Sequence, residues 1–360
     1  MRIGIDARPL VYPQTGIGRY TSELIERLLA TKHQICLYTH APAHQPWLDQ
    51  AYRVRSGQLR FSALSTAFAQ VVFPFWAHAD NVEVFWSPRH HLPLALAWGS
   101  TPCVLTIHDL VWKKAPQSMR PMARLLEAAL MPPSLRAAHH ILVPSHSTAN
   151  DLDAAYPGAI GKTTVTPLAS NFTPEAKPTE ARQGHILFVG TFEPRKNIAL
   201  LVQAFTDCVA QHKLDIKLHL AGQPGWRFNI EQVVDASPAS ARIQIHSPEC
   251  DGAVAELYRQ CDFLVLPSWY EGFGLPLVEA MSFGKPVICS DISSMPEIIG
   301  PAGLLVKPGC RTALTDAIYR LASDDTLYAQ LSSAACQRRK AFNWHDTAKQ
   351  TLQVLDQIAK

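Results

Sequence analysis

The chain has 360 residues, 47% of them apolar, with eight cysteines and a formal net charge of +3. That length exceeds one ordinary domain and suits two, each with enough apolar content for its own core. The near-neutral balance gives no reason to expect a nucleic-acid partner, and no run of about 18 uncharged apolar residues marks a transmembrane helix.

The cysteines are scattered singly, with no C-x-x-C and no His/Cys cluster, which argues against a disulfide framework or a zinc site and fits a reducing cytosol. The sequon Asn171-Phe-Thr173 then reads as chance. The start, Met1-Arg-Ile-Gly-Ile-Asp6, reads as a strand and not as a signal peptide. Residues 1–170 hold 15 Lys+Arg against 10 Asp+Glu, a net of +5, and the remainder holds 18 against 20, a net of −2. Ordinary surface variation accounts for such an imbalance; contact with an anionic lipid or acceptor would also suit it.

Arg2–Ala7 is a first strand, followed by Gln14-Thr-Gly-Ile-Gly-Arg-Tyr20 and an amphipathic helix through Leu29. Gly16 and Gly18 put bare backbone beside a helix N-terminus, an anion-binding arrangement or simply a helix-entry loop. A dinucleotide fingerprint is excluded: Thr21 stands at the third glycine position, and the second strand, Gln34–Thr39, ends without an acidic residue for a ribose. Val82–Ser87 and Pro102–Ile107 read as strands, the second running into His108-Asp109, where parallel α/β sheets present ligand groups. Residues 118–138 read as a helix carrying Arg120, Arg124 and Arg136, with Met119, Met122, Leu125, Leu126 and Leu130 on an ordinary amphipathic or a membrane-contacting face. A break is expected at Pro132-Pro133. His139–Ser145 is a strand, Ser147–Ala155 a helix, and Thr163–Leu168 closes the first half.

Residues 170–184 lack apolar periodicity and hold two prolines, as a linker does. The βα pattern then restarts with the strand His185–Thr191. Arg195 and Lys196 sit in the following loop, and Asn197 is in place to cap the helix Ile198–Gln211. Arg clamps phosphate bidentately and Lys supplies a point charge, so this loop reads as a second anion site. Strands follow at Ile216–Ala221, Arg242–His246 and Cys261–Pro267. After the last comes Ser268-Trp-Tyr-Glu-Gly-Phe-Gly-Leu-Pro-Leu-Val-Glu279. Gly272 and Gly274 break the chain, Pro276 suits a first helical turn, and Gly284 suits the stop. Glu271 falls in the loop and Glu279 in the helix. Carboxylates bond hydroxyls and repel phosphate, so the pair should address sugars while bare backbone holds a phosphate. Pro286–Ser290 is a further strand, Ser293–Glu297 another helix start, and three helical stretches, Thr312–Ala322, Thr326–Phe342 and Asp346–Ala359, finish the chain. The expected fold is α/β, two doubly wound Rossmann-like domains whose strand ends face a cleft.

Several motifs together resemble those of the family 4 retaining glycosyltransferases. Glu271-Gly-Phe-Gly-Leu-Pro-Leu-Val-Glu279-Ala-Met looks like their E-x7-E signature, and Phe188-Val-Gly-Thr-Phe-Glu-Pro-Arg-Lys-Asn197 like their basic donor-phosphate motif. His108-Asp109, Val143-Pro-Ser145 and Thr15-Gly-Ile-Gly18 also stand where that family has them, and the style is similar to bacterial mannosyltransferases of O-antigen or capsule synthesis.

The resemblance implies a GT-B fold: an N-terminal acceptor domain (1–170), a linker (171–184), a nucleotide-sugar domain (185–342), and a last helix (343–360) crossing back to the first domain. It implies that Arg195 and Lys196 hold the donor diphosphate, with the backbone at Gly16–Gly18 and at Gly272, Phe273, Gly274 and Leu275 completing the cradle. Glu271 would bond the transferred hexose, Glu279 the ribose, and His108 the sugar near its 6-position. No cofactor or metal is expected; the donor would be a nucleotide sugar, GDP-mannose first. The acceptor would be a glycan or lipid-linked oligosaccharide, and the setting cytoplasmic, with contact at the inner membrane face. A nucleotide-sugar epimerase of the same fold and a non-catalytic sugar-nucleotide binder are the rival readings.

Overall fold

The computed structural model describes residues 1–11, 15–59, 64–97, 99–173 and 182–359. Thirteen strands are seen among these residues: β1 (Arg2–Asp6), β2 (Gln34–Thr39), β3 (Arg53–Ser56), β4 (Val84–Ser87), β5 (Cys103–Thr106), β6 (His140–Val143), β7 (Thr163–Val165), β8 (His185–Val189), β9 (Lys217–Ala221), β10 (Ile243–His246), β11 (Phe263–Leu266), β12 (Val287–Ser290) and β13 (Gly303–Val306). The helices between them are α1 (Gly16–Leu29), α2 (Ser65–Ala79), α3 (Leu94–Ala97), α4 (Val111–Lys114), α5 (Pro121–Ala137), α6 (His146–Ala155), α7 (Ile198–His212), α8 (Ile230–Asp235), α9 (Asp251–Gln260), α10 (Leu275–Ser282), α11 (Met295–Ile299), α12 (Arg311–Ser323), α13 (Asp325–Arg338) and α14 (Trp344–Ile358).

The chain forms two compact units, one of Met1–Leu110, Pro121–Leu168 and Asn343–Lys360, the other of Val111–Arg120 and Ala169–Phe342. Each holds one wholly parallel sheet, ordered β3-β2-β1-β4-β5-β6-β7 in the first and β10-β9-β8-β11-β12-β13 in the second. The strands are short apolar runs because both sheet faces are covered by helices; all four residues of β4, β5, β11 and β12 are buried. In each sheet the direction of strand progression reverses once, between β1 and β4 and between β8 and β11. Loops leaving the carboxyl ends on either side of such a reversal diverge and leave a crevice, the usual ligand position in this architecture.

The segment Val111–Arg120 corrects the expectation of one N-terminal domain over 1–170: it groups with the second unit. There the Arg120 guanidinium lies 5.4 Å from the centre of the Trp226 ring, and the turn Pro116–Ser118 packs beside the turn Pro194–Lys196. Most of the proposed linker, Pro174–Ala181, lies outside the described residues. The expected break at Pro132-Pro133 is also absent, since α5 runs unbroken through both prolines. The carbonyls four residues back, which lose their donors, belong to exposed Ala128 and Ala129, so water can take them. α14 packs in the first unit, where Asn343 caps it by accepting from the Asp346 N–H and Thr347 Oγ1 donates to the Pro167 carbonyl at 2.5 Å.

Candidate active site

The second unit's reversal point carries the cluster. The loop after β8 closes in a tight turn, Pro194–Lys196, and Asn197 follows in the left-handed region at φ 55°. Asn197 makes no side-chain cap to α7, contrary to the capping role expected of it; its use is that Asn tolerates that backbone conformation. The loop after β11 is tied to this turn by the Trp269 N–H, which donates to the Arg195 carbonyl at 2.9 Å.

Glu271 stands between the two cations. Its Oε1 accepts from Lys196 Nζ at 2.7 Å and from Ser268 Oγ at 2.7 Å, and its Oε2 accepts from Arg195 at 2.9 Å. The Arg195 fork also donates to the Tyr270 carbonyl and to Glu193, each at 2.6 Å. The Glu271 backbone is clamped too: its N–H donates to Ser293 Oγ, and its carbonyl accepts from the hydroxyls of Ser293 and Ser294. Burial pushes the Glu271 carboxyl up, but the charges of Arg195 and Lys196 outweigh it and hold the group at about 2. Burial pulls the Lys196 ammonium down, with Glu271 opposing. The carboxylate is therefore ionised across the neutral range, and Glu193 and Glu271 balance Arg195 and Lys196.

α10 begins at Gly274, whose φ of 90° suits glycine; a Cβ there would lie 2.8 Å from Leu277 Cδ1. Glycine supplies no side-chain cap, Pro276 has no N–H, and the Leu277 N–H donates to the Gly274 carbonyl at 2.9 Å, so the Leu275 N–H is the first-turn donor left for water or a ligand among the described residues. Phe273 is buried and turned into the packing against Phe342, ring centres 5.8 Å apart, so its side chain is engaged in the fold. Glu279 is 3% exposed and accepts from the Tyr258 hydroxyl at 2.8 Å.

The remaining expected residues lie in the first unit. Gly18 is buried, and its N–H donates to Thr15 Oγ1 at 3.0 Å; Gly16 is exposed, with open space where a Cβ would stand. His108 follows β5, packed edge-on against Tyr20 with ring centres 4.8 Å apart. Its Nε2 lies 2.9 Å from the Pro88 carbonyl, which only accepts, so the proton sits on Nε2 and Nδ1 is the acceptor. Burial, then the neighbouring His90, pulls the ring down to about 4.

The structure thus brings Arg195, Lys196 and Glu271 into direct contact and sets Gly272, Phe273, Gly274, Leu275 and Glu279 on the loop and helix that follow, while Gly16, Gly18 and His108 belong to the other unit. Sequence reasoning gave no role to Ser268, Glu193, Ser293, Ser294 or Tyr258. Ser268 and the serine pair stand where ligand groups stand, directly after β11 and β12. Tyr258 lies on α9, and only the fold connects it to Glu279.

Two wholly parallel sheets, each with a reversal point, are the architecture of the GT-B class of glycosyltransferases. Solved structures match the fold over nearly the whole chain: sucrose-phosphate synthase from Thermosynechococcus elongatus (TM-score 0.79, 23% identity, 99% of this chain and 98% of that one) and WaaG, a glycosyltransferase involved in lipopolysaccharide biosynthesis (TM-score 0.77, 14% identity, 99% of each chain). At those identities they speak to the fold alone. The sequence profile of Glycosyltransferase Family 4 matches residues 14–171, and that of Glycosyl transferases group 1 matches residues 171–338. O-antigen chain mannosyltransferase B of Escherichia coli is 30% identical, with 98% of each chain covered. The chain belongs to the family 4 glycosyltransferases.

Proposed function

We propose that this glycosyltransferase moves mannose from GDP-mannose to a hydroxyl of a glycan or lipid-linked oligosaccharide, with retention at the anomeric carbon. The observation that carries the reading is the contact of Arg195 and Lys196 with Glu271 at a reversal point. The similarity to an O-antigen mannosyltransferase supports the choice of hexose. In this reading the diphosphate draws Arg195 away from Glu193 and meets Lys196 and the first turn of α10. Glu271 accepts from hexose hydroxyls, Glu279 from the ribose, and neutral His108 accepts a sugar hydroxyl proton at Nδ1.

The bond between the anomeric carbon and the phosphate oxygen breaks with its electron pair going to the phosphate. The acceptor oxygen bonds to the same face, and its proton passes to the leaving phosphate. Arg195 and Lys196 stabilise the growing negative charge, an effect worth about 10²–10³ in rate for each well-placed donor. A Glu271 carboxylate held by two cations and a hydroxyl is a weak nucleophile, which favours attack from the front face over a covalent intermediate.

A lipid-linked acceptor is supported by the start of α5, where Met122, Leu125 and Leu126 are exposed beside Arg124 while Glu127 turns inward to His90 and His91. A surface of that composition suits the cytoplasmic face of a membrane carrying anionic lipid; among the described residues no helix is long and apolar enough to cross it.

The test is release of nucleotide by the purified protein from a panel of GDP-, UDP- and ADP-sugars, with Glu271→Ala as control. Release of GDP from GDP-mannose, lost in the variant, is the expected result. Release from a UDP-sugar instead would overturn the donor, and absence of both turnover and binding across the panel would overturn the whole reading.

A further inference from the structure

The first sheet has its own reversal point, between β1 and β4. Two loops leave it side by side, Ala7–Arg8 from β1 and Pro88–His91 from β4. They bring several buried charges together, and nearly all of these are matched. The Asp6 carboxylate accepts from Arg8 Nε at 2.8 Å, from the Arg8 fork at 2.5 Å and from the Arg8 backbone N–H at 3.2 Å. Glu127 meets His91 Nε2 at 3.1 Å and His90 Nδ1 at 3.4 Å. His90 Nε2 accepts in turn from the His108 backbone N–H at 3.1 Å.

Arg89 is the exception. It feels Asp6 and Glu127 through space, yet Asp6 is held by Arg8 and Glu127 Oε2 by His90 and His91, and the Arg89 guanidinium makes no hydrogen bond or ion pair with any of the described residues. It is only partly exposed. Withdrawal from water, then the cation of Arg8, pushes its pKa down to about 10, so it still carries its charge at neutral pH.

The backbone that presents Arg89 is fixed. Ser87 Oγ lies 3.1 Å from the Arg89 carbonyl and 2.7 Å from the His91 carbonyl, His108 Nε2 donates to the Pro88 carbonyl, and the Leu92 N–H donates to Ser134 Oγ at 3.0 Å. The five N–H donors of Arg89 bond none of the described residues, which leaves them to water or a ligand. A loop braced on both sides of Arg89 means that the side chain is held out for a ligand rather than left over from loose packing. The guanidinium fork matches the oxygens of phosphate two at a time.

We propose that Arg89 is the recognition residue of an oxyanion site at the reversal point of the first unit, and that it takes a phosphate group of a substrate. The inference rests on the glycosyltransferase assignment, in which that phosphate comes either from the nucleotide diphosphate or from a phosphate carried by the acceptor. Both present the same oxygens to the fork, and the source is separable by experiment.

Full-length wild type, Arg89→Gln and Arg89→Lys are titrated calorimetrically with GDP (UDP in parallel), then with methyl phosphate at saturating nucleotide. Loss of hydrogen bonds to a charged group typically weakens binding about 10–100-fold. Arg89→Gln is expected to show that loss with one of the two probes, and Arg89→Lys to recover only part of it, because a point charge replaces a fork. A fall in nucleotide affinity assigns the phosphate to the donor; a fall in methyl phosphate affinity with nucleotide unchanged assigns it to the acceptor. Unchanged affinity for both probes in a folded Arg89→Gln overturns the proposal. Should that variant not fold, wild-type affinity for both probes in Arg89→Lys overturns it equally. Turnover of sugar nucleotides by wild type is read separately, and its absence counts against the proposed function and not against Arg89.

Discussion

Replacing Glu271 by Gln separates what the carboxylate does for the fold from what it does for the ligand. The substitution keeps the shape and removes the charge facing Arg195 and Lys196. Moving a carboxyl from its ordinary 4.5 to about 2 corresponds, at 1.36 kcal/mol per unit, to about 3 kcal/mol of folded-state stabilisation. That agrees with the 3–5 kcal/mol lost when one partner of a buried ion pair is removed, and it translates into a drop of roughly 6–12 °C in melting temperature for a cooperative unit of this size. The sign fixes the pH window. A depressed carboxyl stabilises fully above its unfolded pKa near 4.5 and loses that stabilisation as pH falls toward 2, so the gap between wild type and Glu271→Gln should close between about pH 5 and pH 2. Nucleoside diphosphate should behave in the opposite way. With Glu271 neutral, both cations are freer to meet phosphate, so GDP affinity should hold or rise while turnover collapses. Excess GDP at 100 times Kd should stabilise the variant by about 2.7 kcal/mol and raise its melting temperature at least as much as the wild type's. Differential scanning fluorimetry with and without GDP, at pH 7 and pH 4, reads all of this. A variant that melts like wild type, or one whose GDP affinity falls along with its stability, would refute the reasoning.

Arg195→Ala should lower turnover by about 10²–10³, the usual cost of a donor aimed at developing charge, with the fold intact by circular dichroism; near-normal turnover would remove the diphosphate role. Because burial holds His108 at about 4, the pH profile of turnover should show no acid limb from it near 6.5, and a limb there that disappears in His108→Asn would contradict the neutral-acceptor role. The same lowering means that the stability held by neutral His108 is complete above about 6.5 and is lost as pH falls from there to about 4. Gly274→Ala should cost about 1–3 kcal/mol, since it forces a left-handed φ and meets Leu277, and a thermal melt equal to wild type would show that the α10 entry relaxes.

Most of the strands that sequence reading identifies are buried on both faces, although the edge strand β10, with one buried residue, is identified too. β1, β2, β4, β5, β6, β8, β9, β11 and β12 read as short apolar runs because a parallel sheet covered by helices asks for that. β3, Arg-Val-Arg-Ser, escapes: it is an edge strand carrying charge, and Arg55 serves to bond Asp80 with both ends of its fork. β13 escapes because Leu304 and Leu305 are only partly covered and Gly303 looks like punctuation. α2 is apolar nearly all round, with Val71 and Phe75 exposed, and so shows no single stripe. The break wrongly expected at the prolines of α5 came from treating a local propensity as decisive, when exposed carbonyls remove most of its cost.

The site divides on the same principle. Arg195, Lys196 and Glu271 are legible as charged groups in loops at strand carboxyl ends, where parallel α/β sheets present ligand groups, and Glu279 through its spacing from Glu271. What spacing alone does not reveal is that Glu271 binds both cations, since β8 and β11 are far apart in sequence and adjacent only in the sheet. That adjacency decides the chemistry. A lone loop carboxylate would be free to turn; one braced by two cations and a serine is held in place and sets where the cations stand. Arg89 is the complementary case. In the sequence Pro-Arg-His-His it looks like an ordinary basic turn, and only the fold shows that both acids near it are already engaged. Pairing in space, more than residue type, separates a structural charge from one left for a substrate.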